Sequence, residues 1–133
     1  MKVAYVEANP TVNKEVPVFL KNSKSISIIN YFDSFEQLII IFAGNNNYLT
    51  YDLIILDFSS TRTLLIDKYI RVVNSMFFNN NIIIIHRMLE EDPLDINLDL
   101  NNITLFNAND KIDKFKSIFN KISKVKTREK IQN

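Results

Sequence analysis

The chain has 133 residues, with 16 Lys and Arg against 15 Asp and Glu for a net charge of +1, and 47% of it is hydrophobic, which fits one globular domain with its own core. The absence of cysteine excludes disulfides, thiol nucleophiles and thiolate metal sites. No apolar run approaches the ~18 residues that a membrane span needs, and residues 1–6 lead straight into charged sequence without a leader, so the expected location is cytoplasmic.

Residues 2–6 read as a first strand that ends at Glu7-Ala8-Asn9-Pro10. Asn9 can cap a helix, and Pro10 suits its first turn, where a missing N–H needs no partner. Val12, Val16, Phe19 and Leu20 give that helix an apolar face, while Pro17 inside the pattern predicts a kink or a break. Residues 25–29 read as a short second strand. Ser34 followed by Gln37 has capping-box spacing, and the helix it starts turns Phe35, Leu38, Ile39 and Phe42 inward. Gly44, the only glycine in the chain, marks its end.

The run Tyr51-Asp-Leu-Ile-Ile-Leu-Asp57 is apolar without polar alternation and stops on a carboxylate. This pattern suits a strand buried on both faces of a parallel sheet. In open α/β sheets ligands bind outside the carboxyl ends of the strands, which makes Asp57 the first candidate for function. Residues 59–61 open a third helix, with Leu65, Tyr69, Val72, Val73 and Met76 expected inward. Residues 82–85 form a second fully apolar strand, closed by His86 and Arg87. Between residues 88 and 100, Asp92-Pro93 suggests a helix start, whereas Leu94, Ile96, Leu98 and Leu100 alternate as extended chain does, and a short or irregular helix is expected. Residues 103–106 form a fifth strand, and from Asp110 a last helix turns Ile112, Phe115, Phe119 and Ile122 inward. Five strands separated by helices predict one α/β domain, a three-layer α/β/α sandwich around a parallel sheet. It spans residues 1–124, and residues 125–133 form a basic C-terminal tail or the start of a linker.

This element order, the acid after the first strand, the sequence YDLIILD ending on Asp57 and the spacing to the last two strands resemble the receiver domain of two-component response regulators. The resemblance covers residues 1–124 and implies a flavodoxin-like sheet in the order 2-1-3-4-5. It places the phospho-acceptor position on Asp57 and the Mg²⁺-binding acid pair on Glu7 and Ala8, so one carboxylate is gone. The hydroxyl position ending the fourth strand falls on His86, the lysine-proline ending the fifth on Asn107 and Ala108, and the switch aromatic on Thr104. Phosphoryl transfer depends on positioning and charge neutralisation. Hydrogen bonds to charged groups are worth about 1.5–3 kcal/mol each, so losing the lysine and the hydroxyl costs the phosphorylated state on the order of 10²–10⁴ in stabilisation.

The resemblance therefore implies a degenerate member, a pseudo-receiver. Such a domain acts in signalling by protein–protein interaction, without phosphorylation of Asp57, without enzymatic activity and without a cofactor. The alternative is a phospho-acceptor receiver in which Glu7 and Asp57 hold Mg²⁺. The implied partners are proteins, a histidine kinase or an output domain. Acidic Glu90, Glu91, Asp92, Asp95 and Asp99 beside the basic last helix make residues 90–124 a candidate homodimer face. The last helix carries Lys111, Lys114, Lys116, Lys121, Lys124 and Lys126, and reads as a solvated face running into a linker rather than as a nucleic-acid contact.

His86, the sole histidine, stands on the strand expected beside that of Asp57. One hypothesis is a His86–Asp57 contact that replaces the missing lysine; the other is a partly exposed histidine at a strand end. A third functional reading, a flavodoxin-like enzyme or nucleotide binder, is opposed by the lack of a glycine-rich loop after the first strand.

Overall fold

A computed structural model describes residues 1–7, 14–44, 51–77, 80–87 and 102–132 of the chain. Five strands are present: β1 (Lys2–Val6), β2 (Ile28–Phe32), β3 (Leu53–Asp57), β4 (Asn81–His86) and β5 (Ile103–Asn107). They form one parallel sheet in the order β2-β1-β3-β4-β5. The helices of the described residues are α1 (Glu15–Lys21), α2 (Phe35–Gly44), α3 (Thr63–Met76) and α4 (Ile112–Gln132). The expected three-layer, flavodoxin-like α/β sandwich is the observed fold. The stretch from 125, read as a tail or linker, continues the backbone of α4 to Gln132.

Strand alternation divides the core into two layers. Ala4, Val6, Ile54, Leu56, Ile82 and Ile84 face α2 and α3, where they pack with Leu38, Ile66, Ile70, Val73 and Phe77. Val3, Tyr5, Leu53, Ile55, Ile83 and Ile85 face α1 and α4, against Val16, Leu20, Phe115 and Phe119. Every residue of β3 is buried, as the unbroken apolar run requires. Each such Leu or Ile contributes roughly 1.5–3 kcal/mol through burial.

The capping box at α2 forms. The Gln37 amide donates to Ser34 Oγ at 3.1 Å, and Gln37 Oε1 accepts from the Asp33 amide at 2.8 Å. Asparagines tie the loops at the amino ends of the strands. Asn102 Nδ2 donates to the carbonyls of Phe77 at 3.1 Å and Asn80 at 3.0 Å, and Asn80 Nδ2 donates to that of Tyr51 at 3.0 Å.

Three expectations are corrected. The second strand lies at Ile28–Phe32 rather than 25–29, because the Met1 carbonyl already accepts from the Ser27 amide at 2.9 Å and pairing with β1 begins only at Ile28. Pro17 neither kinks nor breaks α1: the helix begins at Glu15, so Pro17 falls in a first turn whose amides have no intrahelical partner. The inner face of α3 is Ile66, Ile70, Val73 and Phe77, one residue out of phase with the expected stripe except at Val73, and Leu65, Val72 and Met76 are exposed. Ala8, the Asn9–Pro10 helix start and the acidic stretch 88–101 lie outside the described residues.

Candidate functional site

Parallel pairing of β1 with β3 sets Val6 beside Leu56, which brings Glu7 to the level of Asp57 at the carboxyl edge of the sheet. Asp57 shares a face with Leu53 and Ile55, the face that Tyr5 also occupies. The Tyr5 hydroxyl donates to Asp57 Oδ2 at 3.1 Å. On the other oxygen, Oδ1 accepts from the Ser59 amide at 3.1 Å and from Ser59 Oγ at 2.6 Å. The Ser59 bonds form a short loop in which the carboxylate folds back on the chain two residues on.

This carboxylate is only 1% exposed. Burial pushes its pKa up from the ordinary aspartate value, the bonds from Ser59 and Tyr5 oppose that rise, and the charge of Glu7 adds to it. The Tyr5 hydroxyl is held far above its usual range, first by burial and then by the neighbouring Asp57 charge and hydrogen bond. Tyr5 therefore meets Asp57 as a neutral phenol donor. The residue after Asp57 is also fixed: the Phe58 amide donates to the Ile85 carbonyl at 2.8 Å, and the Phe58 ring packs against Phe35 and Tyr69 with centroids 5.8 and 5.3 Å away.

Of the other described positions that the resemblance singles out, Glu7 stands beside this carboxylate and acts on it through its charge, while His86, Asn107 and Thr104 are engaged elsewhere. Glu7 is exposed, and its amide donates to the Phe32 carbonyl at 3.1 Å. His86 is buried rather than partly exposed, and it does not pair with Asp57. Asp57 is level with Ile85 in the β3–β4 register, so His86 lies one step further on and on the opposite face. Its Nδ1 is buried with no hydrogen-bond partner among the described residues. Burial lowers its pKa from the ordinary value, and the nearest opposing influence is the charge of Asp110.

Asn107 closes the turn into α4. Its Oδ1 accepts from the Asn109 amide at 3.0 Å and its carbonyl accepts from the Asp110 amide at 2.9 Å. The amide of Ala108 donates to the His86 carbonyl at 2.6 Å. Thr104 is exposed on β5.

Mg²⁺ takes oxygen ligands in octahedral geometry and leans on one or two carboxylates, which here are Asp57 and the exposed Glu7 at its level. Both oxygens of Asp57 already accept from neutral donors, and among the described residues no group of three or more His, Asp or Glu could hold a metal ion. A cleft of about 640 Å³ opens beside this region, lined by Lys14, Glu15 and residues 108–113, and Asp57 is not in its wall. Tyr5 and Ser59 are site residues that the sequence pattern does not single out: Tyr5 reads as an apolar strand residue and Ser59 as a helix opener. The signals were present: Tyr5 and Asp57 share a face on strands expected to be neighbours, and Asp57-x-Ser59 has the spacing of a side-chain turn.

No family model, no curated protein and no solved structure matches the chain. The receiver resemblance thus rests on element order, sheet order and the position of Asp57.

Proposed function

We propose that this chain is a receiver-like regulatory module that acts by binding other proteins, with Asp57 kept as a structural acid instead of a phosphoryl acceptor. The observation that carries this reading is the closure of Asp57, 1% exposed with one oxygen under Tyr5 and the other under Ser59. A phosphoryl donor needs one of those oxygens as nucleophile, in line and open to approach. Displacing hydrogen bonds to a charged acceptor costs about 1.5–3 kcal/mol each before any chemistry begins. The degenerate positions support the same reading: Asn107 and Ala108 close a turn, and His86 faces away from the acid.

The test is an amide NMR spectrum of the whole chain with and without Mg²⁺ and beryllofluoride, the phosphoryl mimic. The expected result is an unchanged spectrum. Shifts clustered on Glu7, Asp57 and β5 that vanish in Asp57→Asn would overturn the proposal and establish a phospho-acceptor receiver in its place.

A further inference from the structure

The sequence of α3 carries two apolar stripes at helical spacing, and the fold buries only one. Ile66, Ile70, Val73 and Phe77 enter the core, while Leu65, Val72 and Met76 remain 42%, 36% and 36% exposed. Tyr69 lies on the same flank and points to α2, where its hydroxyl donates to Glu36 Oε1 at 2.6 Å and its ring lies tilted against that of Phe35, with centroids 4.8 Å apart. On α2 the outward Ile40 is 69% exposed. Of the eight large hydrophobic side chains exposed among the described residues, four are therefore on the outer surface of α2 and α3. Scattered single residues need no explanation, but a strip at i, i+4, i+7 and i+11 on one helix flank is a surface built to be covered.

Charge selects what covers it. The α2 side of the strip carries acids, Asp33 and Glu36. The solvent side of α3 carries cations, Lys68 and Arg71, with Arg62 just before the helix. Acid on one side, base on the other and an apolar strip between them form a pattern complementary to itself. A two-fold axis through the strip sets the α3 cations of each copy against the α2 acids of the other. The opposite face cannot do this. Over residues 14–22 and 110–126 it carries eight Lys against three acids, a net +5 that repels its own copy.

We propose that α2 and α3 form an isologous dimer face, with Leu65, Val72, Met76 and Ile40 of each copy packed on those of the other. This face is separate from residues 90–124, and the proposal stands or falls independently of the reading of Asp57. The same surface covers the aromatic group of Phe35, Phe58 and Tyr69, so pairing rests on the residue that follows Asp57.

The test is the mass of the full chain by sedimentation or light scattering across a dilution series. The expected result is a concentration-dependent dimer that weakens roughly tenfold or more in Val72→Lys. Reversing the acids alone, as Asp33→Lys with Glu36→Lys, should also dissociate it. Adding Lys68→Glu and Arg71→Glu to that variant should restore it. Circular dichroism confirms that each variant folds. A monomer at every concentration would overturn the proposal. So would a dimer indifferent to Val72→Lys, or one lost on Val125→Lys, a change on α4 that the proposed face does not contain.

Discussion

The Tyr5 hydroxyl and the Asp57 carboxylate meet across neighbouring parallel strands, 3.1 Å apart and both buried. The phenol gives the acid a neutral partner where a cation would otherwise be needed. Tyr5→Phe removes that donor and leaves a buried charge with one oxygen bare. The variant should be less stable at neutral pH by about 1.5–3 kcal/mol. The deficit should shrink in acid, where Asp57 takes up a proton. Denaturant unfolding of the two proteins at neutral and acid pH measures both quantities, and an equal deficit at both pH values would assign the loss to packing instead.

Asp57→Asn tests the charge itself. Burial is the larger influence on Asp57, so its folded pKa stands above the ordinary 3.8. A raised carboxyl pKa means that the folded state binds the proton more tightly than the unfolded chain does. Its contribution to stability is then full below the unfolded pKa and is lost as pH rises through the folded pKa. The substituted amide has no charge to desolvate, and its side-chain oxygen can still accept from Ser59. The variant should therefore gain on the natural protein as pH rises from acid to neutral. Unfolding free energies of the pair across that window check it, and a gain that is largest in acid would reverse the sign of the argument.

His86 titrates on its own account. Its pKa is lowered by burial and partly supported by Asp110. In this case the unfolded chain binds the proton more readily. The stabilising contribution is present above the unfolded value of 6.5 and is lost as pH falls below it toward the folded pKa. Imidazole NMR titration should place His86 below its ordinary value. Asp110→Asn should lower it further, and Asp57→Asn should leave it in place. A shift on Asp57→Asn would restore the contact that the β3–β4 register rules against.

The parts of this fold that were legible in the sequence were those where one pattern had one solution. The runs ending on Asp57 and His86 are short, apolar on both faces and bounded by polar residues, the pattern of central strands in a parallel sheet. Ser34 and Gln37 fixed the start of α2 by local chemistry. Where two solutions compete, the residues do not choose. In α3, Leu65-Tyr69-Val72-Met76 and Ile66-Ile70-Val73-Phe77 have the same spacing, and only packing against β3 and β4 selects the second. β2 is an edge strand, and Ile28 and Tyr31 are 46% and 52% exposed, so its alternation is blurred and the pattern points to a start three residues early. Tyr5 was hidden for a different reason: it reads as an apolar strand residue, and its hydroxyl matters only once the β1–β3 register is known.

Tyr69 joins two separable contributions, and variants can divide them. Its hydroxyl bonds Glu36 across α2 and α3 at 2.6 Å, and this bond is the leading cause that holds Glu36 below its ordinary carboxyl value. Its ring packs at 4.8 Å from Phe35 and 5.3 Å from Phe58. Tyr69→Phe removes only the bond. Because that bond is at the surface, the cost should sit near the lower end of the roughly 0.5–1.5 kcal/mol typical of one hydrogen bond, and the Glu36 pKa should rise toward its ordinary value. Tyr69→Leu also removes the ring contacts, each aromatic pair being worth about 0.5–1.5 kcal/mol beyond its area, and should cost clearly more. It should further loosen Phe58, visible as amide shifts at Phe58 and Ser59 that Tyr69→Phe does not produce. Equal effects of the two variants at Ser59 would mean that the hydroxyl, not the ring, fixes the segment after Asp57.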